Sequence, residues 1–285
     1  MYPTYLTKKR VAHFIQTALN EDIGSGDHSS LGSIPEDTTR RARLLIKDDG
    51  ILAGIKMTQL IFHNAAPTLK SKFFKEDGTK VESGEIAFEV EGNAHDILKL
   101  ERLILNCLQR MSGIATYTHK ISSLIKGTKA KLLDTRKTTP NFRLAEKWAV
   151  DIGGGVNHRF GLFDMVMLKD NHVDYAGGVA EAITNTKRYL KEQNLSLDIE
   201  IEVRNLDELA SVLNVGGVKR IMLDNMLPSE MRQAVAQIAG RYETEASGGI
   251  TEKNIRDIAE TGVDFISVGA LTHSYKSLDM SLKAF

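Results

Sequence analysis

In the second half of the chain, four short strand-like stretches recur at IEIEV (199–203), RIMLD (220–224), YETEAS (242–247) and FISVG (265–269), with centres about 21–22 residues apart. Helical segments fill the gaps: NLDELASVLN (205–214), PSEMRQAVAQIAG (228–240) and TEKNIRDIAETG (251–262). Upstream, KLLDTR (131–136) and DMVMLK (164–169) are further strand candidates, and VAEAITNTKRYLKEQ (179–193) is a further helix. Strand followed by helix, repeated with short connections, demands a parallel sheet. The tight spacing suits a (β/α) barrel better than an open doubly wound sheet. The Gly-x-Gly-x-x-Gly fingerprint of dinucleotide folds is missing after the first strand, and GGGVNH (153–158) has its glycines in the wrong order.

The first hundred residues follow another pattern. A helix is expected over 4–20, then the turn-rich EDIGSGDHSS (21–30), then strands at 41–47, 51–55, 71–78 and 85–92. Ile86, Phe88 and Val90 alternate with Glu85, Glu89 and Glu91, the period of a half-buried strand. HDILKLERLILNCLQRM (95–111) is an amphipathic helix, and Cys107 falls among its apolar positions, where it is expected to pack in the core.

Charge narrows the function. The 37 Lys+Arg and 37 Asp+Glu cancel, which argues against a nucleic-acid binder that works through bulk positive charge. The segment from Arg102 to His172 nevertheless holds twelve Lys/Arg and five Asp/Glu, so a basic middle sits in a neutral protein. That asymmetry suits a small anionic ligand. No apolar run reaches the ~18 residues of a membrane helix and no secretory signal is seen. A single cysteine excludes an internal disulfide. A cytoplasmic enzyme is the expectation.

In a barrel, chemistry collects at the C-terminal ends of the strands. Those ends carry Asp134 to Lys137 (Thr135 and Arg136 between them), Lys169 to His172, Glu202, Asp224 with Asn225, Glu245 with Ser247, and Gly269. SGGI (247–250) and VGALTHS (268–274) each place glycine just before a short helix, where backbone N–H groups can cradle a phosphate. Glu202 and Asp224 suit ribose hydroxyls or Mg²⁺. Arg136, Lys137, His158, Arg159 and Lys169, with Arg102 less certainly placed by spacing, form a basic cluster suited to carboxylates and phosphates. No Ser-His-Asp order, HExxH or P-loop is present.

The strings ERLILNCLQRMSGIAT (101–116), LDTRKTTP (133–140), GGGVNHRFGLFD (153–164), LKDNH (168–172), EVRNLDEL (202–209), IMLDNM (221–226), EASGGI (245–250) and GVDFISVGALTHS (262–274) together resemble the quinolinate phosphoribosyltransferase family. The resemblance spans essentially the whole chain, with one departure: PNFR (140–143) stands where Pro-Gly-Leu-Arg is commoner, which leaves the role of Arg143 open. It implies an N-terminal α/β sandwich domain (1–113, joined by a C-terminal helix, 275–285) and a C-terminal incomplete TIM-like (β/α) barrel (114–274). It implies that quinolinate and 5-phosphoribosyl-1-pyrophosphate, with Mg²⁺ and no organic cofactor, give nicotinate mononucleotide, pyrophosphate and CO₂ in de novo NAD biosynthesis.

The family's site residues carry over by motif. Arg102 is expected to reach quinolinate in a neighbouring subunit of a homodimer or a hexamer (a trimer of dimers). Thr135, Arg136, Lys137, His158, Arg159 and Lys169 match the pocket for quinolinate and part of the pyrophosphate. Glu202 and Asp224 match the ribose and Mg²⁺ side. Ser247, Gly248 and Gly249, with Val268, Gly269 and Ala270, match the 5-phosphate loops. Lys137, Lys169, Glu202 and Asp224 are the expected catalytic set, with no classical general base.

Two rivals remain at this point. A related phosphoribosyltransferase could take nicotinate, although five or six basic groups favour a dicarboxylate. DGTKVESGEIAFEVEG (77–92) resembles the hammerhead of lipoyl and biotinyl carriers, but the turn that follows lacks the carrier lysine.

Overall fold

The computed structural model describes residues 3–285. In chain order the first elements are α1 (Lys8–Ile23), α2 (His28–Ser33), β1 (Thr39–Ile46), β2 (Gly50–Ile51), α3 (Ile55–Ala65), β3 (Lys70–Phe73), β4 (Lys80–Val81), β5 (Ile86–Asn93) and α4 (Ala94–Leu124). Next come β6 (Lys131–Leu133), α5 (Arg143–Ile152), β7 (Val166–Leu168), α6 (Asp170–Ala176), α7 (Val179–Glu192), β8 (Ile199–Val203), α8 (Leu206–Val215) and β9 (Arg220–Asp224). The chain closes with α9 (Pro228–Ile238), β10 (Glu243–Ser247), α10 (Ile255–Ala259), β11 (Phe265–Ser267), α11 (Ala270–His273) and β12 (Met280–Ala284).

Two compact units result. The first comprises Met1–His119, Lys137–Gly154 and Ala270–Phe285, the second Lys120–Arg136 and Gly155–Gly269. This division differs from a cut at residue 114. The segment 137–154 joins the first unit because α5 buries seven consecutive residues, Leu144 to Val150, and Glu146 on it grips Arg110 of α4.

The first unit is built on a four-stranded antiparallel sheet in the order β12-β1-β5-β3, with a two-stranded β2-β4 pair beside it in sequence. Ala42, Leu44 and Ile46 of β1 and Phe88 and Val90 of β5 are buried. Phe88 contacts Phe62 and Phe73 with ring centroids 5.9 and 5.2 Å apart. The expected helix over 275–285 is not present. Residues Met280 to Ala284 are strand β12, which pairs antiparallel with β1 from Ala284↔Ala42 to Met280↔Ile46. The exposed edge of β1 offers a row of unpaired N–H and C=O groups, and a chain end with buried Leu278 and Met280 takes them up.

The second unit is a six-stranded parallel sheet in the order β6-β11-β10-β9-β8-β7. β6 and β7 stand at its two ends, so strand pairing among the described residues leaves the barrel incomplete. In β8, Ile199, Ile201 and Val203 share one face while Glu200 and Glu202 share the other, by the two-residue period of a strand. Register then sets Glu200 and Glu243 beside Arg220, Glu202 and Glu245 beside Met222, and Ser247 beside Asp224. One face of this sheet therefore carries charge in layers. Among the described residues no helix is long and apolar enough to cross a membrane.

Candidate active site

In the parallel-sheet unit the polar strand ends gather as the barrel argument requires. Asp134, the residue after β6, is fully buried and holds the loop after Gly155. Its Oδ1 accepts the backbone N–H of His158 (2.8 Å), and its Oδ2 accepts Asn157 Nδ2 (2.7 Å). This clamp sets where His158 and Arg159 emerge. Arg159 donates from NH1 to the Met165 carbonyl at 3.0 Å. Burial lowers its guanidinium below the ordinary arginine value, and the charge of Arg136 adds to the effect. Two arginines close enough to repel make a site for an anion. Lys169, about half exposed, pairs through Nζ with Glu202 Oε2 at 2.9 Å, while the Glu202 side chain is only 8% exposed.

The phosphate-loop candidate is well defined. Ser247 ends β10, and its carbonyl accepts the Asn225 N–H at 2.9 Å. Gly248 (φ +89°) and Gly249 (φ +59°) follow in left-handed conformations. A Cβ on Gly248 would collide with the Asn225 side chain, so only glycine fits there. Asn225 donates from Nδ2 to Asp224 Oδ2 (2.6 Å), and Asn254 donates from Nδ2 to the Gly249 carbonyl (3.0 Å). The helix expected from Thr251 starts only at Ile255 and spans five residues, and α11 spans four. So short a helix supplies little macrodipole, and the anion-binding capacity lies in the successive backbone amides of the glycine turn. Val268 and Gly269 follow β11, with the Val268 N–H on the Leu133 carbonyl (3.0 Å).

His158, expected as a substrate contact, lies below the surface. Its ring is buried, with the side chain 4% exposed. Nε2 lies 3.0 Å from Glu200 Oε2 and 3.4 Å from Glu245 Oε2. Nδ1 lies 2.7 Å from the backbone nitrogen of Arg159, which donates to it. Nδ1 is therefore committed within the protein, and Nε2 lies against two carboxylates. Arg220 completes the cluster, with NH1 2.9 Å from Glu245 Oε2 and its guanidinium 4.0 Å from the Phe265 ring centroid.

Burial lowers the His158 imidazole, while the Glu200 and Glu245 carboxylates beside Nε2 draw it up. The Arg159 amide works in the opposite direction, because a proton on Nδ1 would meet a second donor. A single proton on Nε2 satisfies all three neighbours. Burial and the Glu245 charge push the Glu200 carboxyl up. The Glu245 carboxyl is also raised by burial, but its contact with the His158 Nε2 proton and the charge of Arg220 bring it below the usual range. His158, Glu200 and Glu245 bring three potential metal-ligand atoms within 4.8 Å of one another. A ring that carries its proton on Nε2 has no lone pair there for a metal, and Arg220 already supplies positive charge to the cluster.

Lys137, Arg102 and Ala270 belong to the first unit. Arg102 is exposed on α4, and Ala270 opens α11. The Lys137 carbonyl accepts Thr272 Oγ1 at 2.9 Å. Two residues on, the Thr139 N–H meets Glu146 Oε2 at 3.0 Å, and Arg110 Nε meets Glu146 Oε1 at 2.9 Å. A polar cavity of about 510 Å³ here is lined by Arg110, Lys137, Thr138, Thr139 and His273 among others. Arg143 Nε donates to Thr138 Oγ1 at 2.9 Å, which gives Arg143 a loop-holding role. Asn141 takes φ +62°. Asn is the side chain that best tolerates the left-handed region, so PNFR keeps the turn a glycine would make.

Sequence reasoning missed Glu200, Arg220, Arg110 and Glu146. For Glu200 the signal was available: it shares the strand period with Glu202, and both belong to the face that bears the site.

Comparison with known proteins gives one answer along the whole chain. The family described as "Quinolinate phosphoribosyl transferase, N-terminal domain" matches residues 18–112, and "Quinolinate phosphoribosyl transferase, C-terminal domain" matches residues 114–283. A chloroplastic nicotinate-nucleotide pyrophosphorylase [carboxylating] of Arabidopsis thaliana is 46% identical over 99% of this chain and 84% of its own length. A probable nicotinate-nucleotide pyrophosphorylase [carboxylating] of Bacillus subtilis is 39% identical over 96% of this chain and 92% of its own. The solved nicotinate-nucleotide pyrophosphorylase of Francisella tularensis superposes with a TM-score of 0.89 at 39% identity, covering 98% of each chain.

Proposed function

The chain belongs to the quinolinate phosphoribosyltransferase family, and from that premise we propose how its residues divide the work. The activity is that of a decarboxylating phosphoribosyltransferase: quinolinate and 5-phosphoribosyl-1-pyrophosphate give nicotinate mononucleotide, pyrophosphate and CO₂, a step of NAD biosynthesis. Family membership over nearly the full length carries this reading. The strand-end chemistry agrees with it.

Arg136 and Arg159 take the carboxylates of quinolinate, with Lys169 beside them. Their mutual repulsion is relieved when a dicarboxylate enters. The Ser247–Gly249 turn and the backbone of Val268 and Gly269 bind the 5-phosphate. Glu202 and Asp224 face the ribose, where the C1–pyrophosphate bond breaks and positive charge develops on the sugar. Lys169, held by Glu202, stands ready for the departing pyrophosphate. Lys137 and Ala270 keep the roles that the family resemblance gives them, and Thr135 lies beside Arg136 in the same strand end. His158 acts from below this surface rather than on the substrate.

Glu202 and Asp224 offer hard carboxylate oxygens, the donors Mg²⁺ takes together with substrate phosphates. With the metal bound, it would neutralise charge on the pyrophosphate. The pyridinium formed at C1 is its own electron sink, so loss of CO₂ needs positioning and desolvation rather than a side-chain base. Arg102, exposed on α4, serves a neighbouring subunit's site in a homodimer or a trimer of dimers. A cytoplasmic location goes with this reading.

The test is to incubate the protein with quinolinate, 5-phosphoribosyl-1-pyrophosphate and Mg²⁺, with a nicotinate control, and to measure nicotinate mononucleotide and CO₂. Product and CO₂ from quinolinate alone support the reading. Product from nicotinate without CO₂ would keep the phosphate loop and overturn the assignment of the basic pocket.

A further inference from the structure

Beneath the strand ends lies a set of buried charges that the reaction itself does not use: Glu200, Glu245 and Arg220, with His158 reaching down to them from the 155–159 loop. Glu200 and Glu245 are fully buried, yet each sets an oxygen beside the same imidazole nitrogen, at 3.0 and 3.4 Å. Two carboxylates converging on Nε2 require a proton there. The other nitrogen, Nδ1, receives the Arg159 N–H at 2.7 Å, and that contact requires a bare lone pair. The two requirements agree on one tautomer. Asp134 fixes the backbone N–H of His158 at 2.8 Å, so ring and loop are anchored independently of each other. Arg220 holds Glu245 in place from the far side at 2.9 Å, and also bonds Glu243 at 2.9 Å through NH2.

We propose that Glu200 and Glu245 are positioning residues for substrate binding: by keeping the ring proton of His158 on Nε2 they leave Nδ1 to hold the Arg159 backbone, and this fixes where the Arg159 guanidinium stands. The inference rests on the reading that Arg159 binds quinolinate. The network's glutamates are fully buried, so its effect on substrate is indirect. Its effect reaches the substrate through one hydrogen bond, from a buried ring to the amide of the residue that carries the charge. Arg159 also donates from its side chain to the Met165 carbonyl and the Met167 sulfur, so its guanidinium is held separately from its backbone.

Two substitutions at His158 separate the halves of the network. The Oδ1 of Asn occupies roughly the place of Nδ1, so H158N keeps an acceptor for the Arg159 amide. The amide nitrogen of Gln reaches roughly the place of Nε2, so H158Q keeps a donor for the glutamates and leaves the Arg159 amide without its acceptor. The expected result is that H158Q raises the KM for quinolinate about tenfold or more, with kcat changing less. H158N is expected to raise it by no more than about threefold, with the KM for 5-phosphoribosyl-1-pyrophosphate following neither change. Equal losses in both variants, or the reverse order, would overturn the proposal.

Because either variant could fold poorly, the wild-type protein supplies a second measurement. Labelled with ¹⁵N-histidine, it should show a buried ring at neutral pH with a pyridine-type Nδ1 and a pyrrole-type Nε2. A ring protonated on both nitrogens, or on Nδ1 alone, would contradict the proposal. R159A serves as the reference for the underlying reading. If R159A leaves the quinolinate KM unchanged, the role of Arg159 in binding falls and the proposal falls with it. If R159A raises KM while H158Q does not, only the positioning inference fails.

Discussion

The two sheets use the same alternation for opposite ends. In the antiparallel sheet the inward positions of β1 and β5 are Ala42, Leu44, Ile46, Phe88 and Val90, all buried and apolar, while the outward ones pair as surface ions, Arg41 with Glu89 at 3.3 Å. In the parallel sheet the face that bears the site carries Glu200, Glu202, Arg220, Asp224 and Glu245, and the aliphatic residues Ile201, Ile221 and Val203 lie on the other side. Burying apolar surface stabilises the fold by about 25 cal/mol per Å². Burying charge costs free energy unless each group finds a partner. The first sheet is a source of stability, and the second gives up stability to hold charged groups at and beneath its strand ends.

Substitutions that break the contrast should have the largest effects. Phe88→Ala removes a fully buried ring from the apolar sheet and is expected to cost about 3–5 kcal/mol of unfolding free energy. Denaturant titration reads this as a lower midpoint, with the quinolinate KM of the folded fraction unchanged. Arg220→Met in the parallel sheet leaves Glu245 without its cation. It is expected to cost a similar amount, about 3–5 kcal/mol, and also to raise the quinolinate KM. If Arg220→Met proved neutral, the charged layer would not be the costly element described here.

Lys169→Ala sharpens the comparison from the functional side. The lysine is 46% exposed, so its loss should leave the melting temperature within about 2 °C while kcat/KM falls about a hundredfold or more. If Arg102 serves a neighbouring subunit's site, as proposed, mixing inactive Arg102→Ala protein with inactive Lys169→Ala protein should restore part of the activity, because a mixed dimer would hold one intact site. No recovery after subunit exchange would place Arg102 outside the neighbour's site. The smallest effect belongs to the outer face of the antiparallel sheet. Arg41→Ala, which removes a half-exposed ion pair, should change stability by no more than about 1 kcal/mol and leave activity alone.

How much of this could be read in advance follows from which interactions are local. IEIEV and RIMLD became β8 and β9 with unchanged bounds, since turn-forming residues flank a clear strand pattern on both sides. The helix expected over 95–111 runs on to Leu124 as α4. Gly113 and several β-branched residues argue for an earlier stop, but buried Ser112, Ile114, Ala115 and Thr118 override propensity through packing. Gly113 itself is there because a Cβ would strike the backbone of Lys276 and Ser277. The strand at 280–284 was not legible, because its partner β1 lies more than two hundred residues away and SLKA has no strong preference of its own.

The site shows the same division. Arg136, Lys169, Glu202, Asp224 and Ser247 to Gly249 could be proposed because each lies at or just beyond a strand end, and Arg159 because it stands in the GGGVNHR string. His158 was found, but its orientation was not, since nothing in GGGVNHR tells a ring that faces solvent from one that dips beneath its loop. Glu200 was passed over because a lone glutamate in a strand ordinarily points to water, and only closure of a barrel-like face reverses that expectation.

The central proposal is that the basic groups at the strand ends of the parallel sheet, Arg136, Arg159 and Lys169, hold a dicarboxylate. Calorimetric titration of the protein with quinolinate and with nicotinate tests it without relying on turnover. The account predicts that quinolinate binds at least about tenfold more tightly, since the second carboxylate gains a further charge-assisted contact, and that R159A loses most of that preference. Equal affinity for the two acids, or a preference that survives in R159A, would contradict it.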